Sequence, residues 1–324
     1  MKNWFYISTS NDGWRNLAQD EWFINNVAED ELVLYMYINA NAVIIGKNQN
    51  PWKECNLAAM ERDNVQLVRR ISGGGAVYHD MGNLNFSFIA HKGRYDLKKQ
   101  MDMILSAVRL MGIEAEASGR NDITAGGRKF SGNAFATRAQ NMQHHGTLLI
   151  DADMTKLPGY LTVDPKKIKS KGIDSVRSRV VNLRELKPEL NMDTALAAVR
   201  KAFAETYGDF AEYEPGPEFE TGVDKLYSVH SSWDWRMGKA PVFDYEIDER
   251  FPFGNIDMML SVRNGRVTEA KVYSDALDHD IADKIVKNLP GTRFCAVDIA
   301  DAIKKDSADD AVLTFAEFIR TQQI

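Results

Sequence analysis

"RRISGGGAVYHD", Arg69–Asp80, is the stretch whose reading decides the fold. Three successive glycines stand between an arginine pair and an aromatic–histidine–aspartate run. Glycine loses more backbone freedom on folding than any other residue, so a triple needs a reason. A flexible linker is one answer, but the neighbours argue against it. Val65–Arg69 reads as a short strand delivering the chain into the triple, and "NLNFSFIA", Asn83–Ala90, alternates with period two as a half-buried strand should. Glycine within such a sheet marks the close approach of another backbone or of a ligand. No Gly-Lys-Ser/Thr follows, so this is no P-loop, and Tyr78 stands where a dinucleotide fingerprint needs its third glycine. Arg70 offers a planar fork for phosphate or carboxylate.

Outward from the triple, strands and helices alternate. Asn3–Ser8 reads as a strand, Trp14–Val27 as an amphipathic helix, and "ELVLYMYIN" and "NAVIIG" as two apolar strands. Pro51 suits the first turn of a helix running to about Asp63, with Asn50 as its cap. Asp96–Met111 reads as a helix ended by Gly112, and Asp193–Tyr207 as one closed by Gly208. Gly126-Gly127 signals a hairpin, and His144–Ile150 a further short strand. Tyr213–Val223, with two prolines and two glycines among acids, reads as a surface connection. Near Phe243 a second region begins. Its Asn264-Gly265 pair is a hairpin turn, followed by helical patterns at Ile281–Leu289, Ala296–Lys304 and Ala311–Gln322. The expected class is α+β, with a large mixed-sheet domain over residues 1–243 and a small α+β accessory domain over 244–324.

Composition narrows the function classes. The 324 residues are 44% hydrophobic, 10% aromatic and 27% charged, with a net charge of −6. That balance argues against general nucleic-acid binding. No apolar run approaches the length of a membrane span, and the first residues lack the features of a signal peptide. Cys55 and Cys295 lie far apart in unrelated contexts, which suggests neither a disulfide framework nor a zinc site. A reducing cytoplasm is the simplest compartment.

Three further constellations carry chemistry. In "SGRNDITAGGRKFSGNA", Ser118–Ala134, Lys129 precedes a run of small residues on an apparent strand, where it would serve as a point charge for an anionic reaction centre. "HHGTLLID", His144–Asp151, enters an apolar strand. Adjacent histidines there face opposite ways, so metal ligation is the rarer reading. In "KKIKSKGIDSVRSR", Lys166–Arg179, six basic residues face the single acid Asp174, a charge suited to closing over a phosphate. No Gly-x-Ser-x-Gly elbow is present, so a serine hydrolase is excluded.

Together these segments resemble the lipoate–protein ligase A family of the biotin/lipoate protein ligase superfamily. The resemblance rests on "NPWKECN", "RRISGGGAVYHDMGNLNFSF", "EASGRND", "RKFSGNAF", "HHGTLLIDAD" and "KGIDSVRSRVVNL", with "SSWDWRMGKAP" and "DERFPFG" extending it across the domain junction. It implies a biotin/lipoyl ligase-like catalytic fold and a two-step reaction using ATP and Mg²⁺, with lipoate as substrate and no prosthetic group. Lipoate is activated to lipoyl-AMP, and the lipoyl group then passes to a lysine of an acceptor domain. By the resemblance Lys129 is catalytic, and Arg70, Gly75, Ala76, Val77, Tyr78, Asn83 and Lys129 hold ATP and the adenylate. Lys171, Gly172, Ser175 and Arg177 belong to a loop that orders over it. Leu17, Tyr37, Arg70, Ser72, Gly73, Gly74, His79, Lys129 and His145 surround lipoate, and Asp122 is the suspected Mg²⁺ ligand. The implied partners are lipoyl domains of 2-oxoacid dehydrogenase E2 subunits and the glycine cleavage H protein. Nucleic acid and membrane are not among them, and the chain is expected to be a monomer.

Two rivals stand beside this reading. An octanoyl or lipoyl transferase of the same superfamily works without ATP, and in the related families through a nucleophilic cysteine. Such a cysteine belongs beside the Lys129 or His145 strand, whereas Cys55 falls in the helix after Pro51 and Cys295 in the small domain. A non-catalytic lipoate or adenylate sensor is the other, and the joint presence of Arg70, the glycine triple and Lys129 speaks against it.

Overall fold

Local signals place the first helix and its neighbours. Asp12 accepts hydrogen bonds from the amides of Trp14 and Arg15, capping a helix over Gly13–Asn26. Asp96 caps Leu97–Leu110, and Asn191 caps Met192–Tyr207. Gly112 and Gly208 end these two helices at φ +84° and +79°, where a side chain is strained. The computed structural model describes residues 2–119, 121–161, 180–237 and 245–322, and only the backbone of residues 52 and 53. Two compact units result. The first comprises Met1–Ile44, Trp52–Arg69 and Val77–Arg236, the second Ile45–Pro51, Arg70–Ala76 and Met237–Ile324.

The first unit is built on an eight-stranded mixed sheet. In chain order the strands are β1 (Lys2–Ile7), β2 (Glu31–Tyr37), β3 (Ala42–Ile45), β4 (Gln66–Arg69), β5 (Val77–His79), β6 (Asn83–His91), β7 (Glu116–Ser118), β8 (Asp122–Ala125), β9 (Arg128–Arg138), β10 (Asn141–Leu149) and β11 (Ala211–Glu212). Eight of them form the order β11-β1-β2-β6-β10-β9-β8-β7, and β4, β3 and β5 form a small sheet apart. β1 runs parallel to β2 and β11, while β2-β6-β10-β9-β8-β7 are antiparallel.

One face of the large sheet is apolar. Leu84, Phe86, Phe88 and Ala90 of β6 enter a core with Phe5, Leu34 and Leu148, closed by Met103, Ile104, Val108, Val199 and Phe203 of two helices. The opposite face is also buried, which corrects the half-buried expectation for β6. Its first eight residues are all inaccessible. The polar members of the alternation, Asn83, Asn85 and Ser87, lie on the side of the Gly13–Asn26 helix. Full burial of Leu17, Phe23 and Ile24 on that helix stabilises the fold by roughly 1.5–3 kcal/mol each.

Two other local expectations are corrected. The Pro51–Asp63 helix is two, Pro51–Glu54 and Leu57–Arg62, because the backbone of Cys55 bridges to Leu161 and Asn56 caps the second. Pro217–His230 is a helix, not a surface connection. Pro217 sits in its first turn, where a missing N–H costs nothing, and Phe219 and Val223 are buried. The Phe219 ring packs 5.7 Å from Tyr6 and 5.4 Å from Phe23.

In the second unit β12 (Tyr245–Phe251), β13 (Gly254–Arg263) and β14 (Arg266–Ser274) form an antiparallel sheet. Asn264 and Gly265 take φ of 53° and 69°, as a two-residue hairpin turn requires. Ile256, Met258, Leu260 and Val272 pack against Ile285, Ile299 and Phe315 of three helices. The chain is α+β, a large mixed-sheet region followed by a small sheet-and-helix region, as the sequence led us to expect.

Candidate active site

A β-bulge sets which way the lysine of β9 faces. Ile123 pairs with Ser131 but Thr124 with Lys129, so Phe130 is an extra residue on β9. Without it Lys129 and Gly132, three apart, would face opposite ways. The bulge brings them to the same face. The Lys129 side chain then passes over Gly132, where an added Cβ would lie 3.1 Å from Nζ. Lys129 Nζ meets Asp122 Oδ1 at 2.7 Å, with both side chains about one-third exposed, at 36% and 37%. The segment before Asp122 is clamped as well. The Asn121 carbonyl accepts from the Asn133 amide at 2.8 Å and from Asn133 Nδ2 at 3.0 Å, and Asn121 Nδ2 donates to the Asn133 carbonyl at 3.1 Å.

That face of the sheet carries polar rows crossing the strands. Tyr35, Ser87, His145 and Ala134 lie in register in one row. Tyr37, Asn85 and Thr147 form the next, and Thr147 Oγ1 accepts from the Gly132 amide at 3.2 Å. His145 Nδ1 lies 3.2 Å from Asp20 Oδ2, the latter on the covering helix and almost wholly buried. Tyr35 and Tyr37 stack at 4.8 Å. Burial, aided by Tyr37 and Asp20, holds the Tyr35 phenol protonated well above its ordinary range. Its hydroxyl donates to Gln19 Oε1 at 2.7 Å.

His144, the other half of the pair, faces the core. Nδ1 lies 3.1 Å from the Gln100 carboxamide and Nε2 2.9 Å from Asn133 Oδ1. Burial, with a smaller effect from His145, lowers its pKa to about 3, so the ring is neutral and structural. Tyr78 donates to Asn41 Oδ1 at 2.9 Å, and burial, then Asp80, raises its phenol to about 12.

The glycine triple belongs to the second unit with Arg70, Ser72 and Ala76. Its three members answer different demands. A Cβ on Gly73 would meet the carbonyl oxygens of Ala276 and Leu277 at 2.5 Å, and the Gly74 amide donates to the Ala276 carbonyl at 2.7 Å. Gly74 takes φ +92°. Among the described residues nothing lies within 4 Å of a Cβ added at Gly75. Arg70 is buried and turns its guanidinium onto its own loop, to Ser72 Oγ and the carbonyls of Gly73 and Gly75 at 2.6–3.1 Å. It shapes the loop it was expected to flank.

Of the remaining expected site residues, Leu17, Tyr37, Val77, Tyr78, His79, Asn83, Asp122, Lys129 and His145 lie in the first unit. Lys171, Gly172, Ser175 and Arg177 fall outside the described residues. Among the described residues Asp122 is not part of a three-ligand cluster. Among the described residues only Asp278, His279 and Asp280 bring three donor atoms together, and Lys47 and Lys284 already neutralise those carboxylates. Sequence reasoning missed Asp20. Its signal was an acid at helical spacing from Leu17 and Ile24, on the buried face. It also missed Asn39, whose Nδ2 lies 3.1 Å from His79 Nδ1.

Known proteins resemble this chain in sequence and fold. Residues 12–204 match the family model for the lipoyl protein ligase A/B catalytic domain, and residues 240–317 that for the bacterial lipoate protein ligase C-terminus. The lipoate-protein ligase A of Psychrobacter cryohalolentis is 41% identical over 308 residues, covering 92% of this chain and 91% of its own. Among solved structures, P. falciparum LipL1 in complex with lipoate is similar with a TM-score of 0.84 and 30% identity, over 98% of each chain. A lipoate-protein ligase A bound with ATP aligns at a TM-score of 0.64 and 29% identity, over 74% of this chain and 100% of its own. The chain belongs to the lipoate–protein ligase family.

Proposed function

We propose that the protein is an ATP-dependent lipoate–protein ligase working through an acyl-adenylate. The observation that carries the reading is Lys129, set by the β9 bulge beside Asp122 and over Gly132 at the end of the polar sheet face. In the first step a lipoate carboxylate oxygen attacks the α-phosphorus of ATP, and the bond to the pyrophosphate oxygen breaks. Negative charge accumulates at phosphorus, and a fixed ammonium there lowers the barrier. In the second step the amine of an acceptor lysine attacks the acyl carbon. The carbon–oxygen bond to AMP breaks, the amine loses its proton and a lipoamide remains.

Other residues take roles that their surroundings favour. Gly75–Val77 would lie against the adenylate, since none of the described residues crowds Gly75. Asn83 would receive the adenine amino group. Its buried Oδ1 has no donor among the described residues. His79, His145, Leu17 and Tyr37, all of the first unit, would enclose the lipoyl group. Asp122 already meets the Lys129 ammonium at 2.7 Å, and we assign the same carboxylate to Mg²⁺, which binds through one or two carboxylates plus phosphates. When bound, Mg²⁺ would offset phosphate charge. Adenylation and transfer are assigned to residues 1–243, with 244–324 as the accessory domain. The acceptors are lipoyl domains of 2-oxoacid dehydrogenase E2 subunits and the glycine cleavage H protein, met by a monomer in the cytoplasm. Among the described residues no helix is long and apolar enough to cross a membrane.

A cysteine-dependent transferase finds little support, because burial, then Glu54, raises the Cys55 thiol to about 12. The decisive experiment is lipoate-dependent ATP–pyrophosphate exchange with Lys129→Ala. We expect a loss on the order of 10²–10³. Exchange near the wild-type rate would end the role given to Lys129. A lipoyl mass increment on an acceptor domain without ATP would end the ligase reading itself.

A further inference from the structure

We infer that Asn39 is a positioning residue that holds His79 in its Nε2–H tautomer, so that His79 serves the acyl donor by donating a hydrogen bond and not as a base. This rests on the placement of His79 beside lipoate proposed above. The tautomer itself follows from a chain of amides anchored on main-chain carbonyls. Asn16 is wholly buried, and its carboxamide nitrogen lies 3.0 Å from the Ser10 carbonyl and 3.1 Å from that of Ile38. Carbonyls only accept, so that atom is the nitrogen. Its oxygen correspondingly receives the Ser8 hydroxyl at 2.7 Å.

The Asn16 nitrogen also lies 2.8 Å from the carboxamide of Asn39, itself wholly buried. Asn39 must present oxygen there, since two amide nitrogens would oppose donor to donor. Its own nitrogen is thereby turned to His79 Nδ1, 3.1 Å away. A ring nitrogen that accepts carries no proton, so the proton of the neutral imidazole resides on Nε2. The orientation of each amide is forced by the previous one, so no free choice between flipped forms remains. Protonating Nδ1 would set two donors head to head. His79 thus brings an N–H to an oxygen of the acyl donor, and deprotonation of the acceptor amine falls to another group.

The test uses the full chain labelled with ¹⁵N-histidine, with His79→Gln assigning one resonance pair among six histidines. In the wild type at neutral pH, Nδ1 should give a pyridine-type signal and Nε2 a pyrrole-type one. In Asn39→Asp the carboxylate accepts, so the proton should appear on Nδ1. The exchange kcat should then fall about tenfold to a hundredfold with KM for ATP little changed. His79→Gln, whose side-chain amide restores a donor near Nε2, should retain more activity than His79→Ala. A pyrrole-type Nδ1 in the wild type overturns the inference without using any variant or any assay of the ligase reading. The expected tautomer together with unchanged exchange in both Asn39→Asp and His79→Ala overturns the positioning role, and takes His79 out of the proposed site while leaving the Lys129 test untouched.

Discussion

Substituting the three glycines one at a time should separate those that fold the loop from the one that admits a ligand. In Gly73→Ala the new methyl would sit 2.5 Å from two carbonyl oxygens, so backbone must move. Overpacking of this kind costs about 1–3 kcal/mol. In Gly74→Ala the residue would hold φ +92° with its Cβ 2.9 Å from the Arg70 guanidinium, at about 1–2 kcal/mol. Gly75→Ala meets nothing within 4 Å among the described residues, and reduced freedom of the unfolded chain makes it neutral or stabilising by about 0.4–1 kcal/mol. Thermal unfolding and calorimetric ATP titration on each variant give the two readouts. Gly73→Ala and Gly74→Ala should melt early. Gly75→Ala should melt with the wild type yet bind ATP at least about tenfold more weakly, or 1.4 kcal/mol, because the methyl occupies the adenylate's path. Wild-type ATP affinity in Gly75→Ala would refute the binding role of that glycine. A wild-type melting temperature in Gly73→Ala would refute the packing role of its neighbour.

Two further outcomes follow from buried titratable groups. With its pKa near 12, Cys55 carries only about 10⁻⁴ thiolate at pH 8, so iodoacetamide should spare it in the native protein, and Cys55→Ala should keep ATP-dependent transfer. Rapid alkylation of Cys55, read by peptide mass, would contradict its burial. His144 is neutral in the fold down to pH about 3, whereas the unfolded chain protonates it near 6.5. Between those values the unfolded state binds the extra proton, so His144 lowers stability as pH falls, by up to about 1.4 kcal/mol per unit, and has no effect above 6.5. Its ring resonances should stay fixed between pH 8 and 5, and titration of the His144 ring near 6.5 would sink the assignment.

Much of the fold was legible because its signals are local. Asp12, Asp96 and Asn191 cap helices through their own side chains, and Asn264-Gly265 turns a hairpin by its φ values alone. Errors came where a long-range contact overrode such a signal. The bridge between Cys55 and Leu161 splits what propensity reads as one helix, and it joins residues more than a hundred positions apart. Pro217 and Gly216 look like chain breakers, yet one opens a helix and the other precedes it. Only the burial of Phe219 against Tyr6 and Phe23 decides between those roles.

The site was legible in its residue types and illegible in their phase. Lys129 stood out as a lysine before small residues, but strand alternation puts it on the face opposite Gly132. The extra residue Phe130 reverses that, and a bulge exists only in the pairing of two strands. The polar rows had the same difficulty. "NLNFSF" alternates as a strand with one face in water would, since sequence cannot distinguish water from a buried hydrogen-bond partner. Here the partners are supplied from distant positions: Tyr37 to Asn85, Gln143 to Ser87, Asp20 to His145. A face that keeps asparagine, serine and histidine under a covering helix is costly unless each group is satisfied. Asp20 Oδ1 and Asn83 Oδ1, which find no hydrogen-bond partner among the described residues, are therefore the informative atoms. A fold built only for stability would have replaced these two side chains, one on the covering helix and one on the sheet face beneath it, with apolar ones, and their retention favours a ligand that completes their hydrogen bonds.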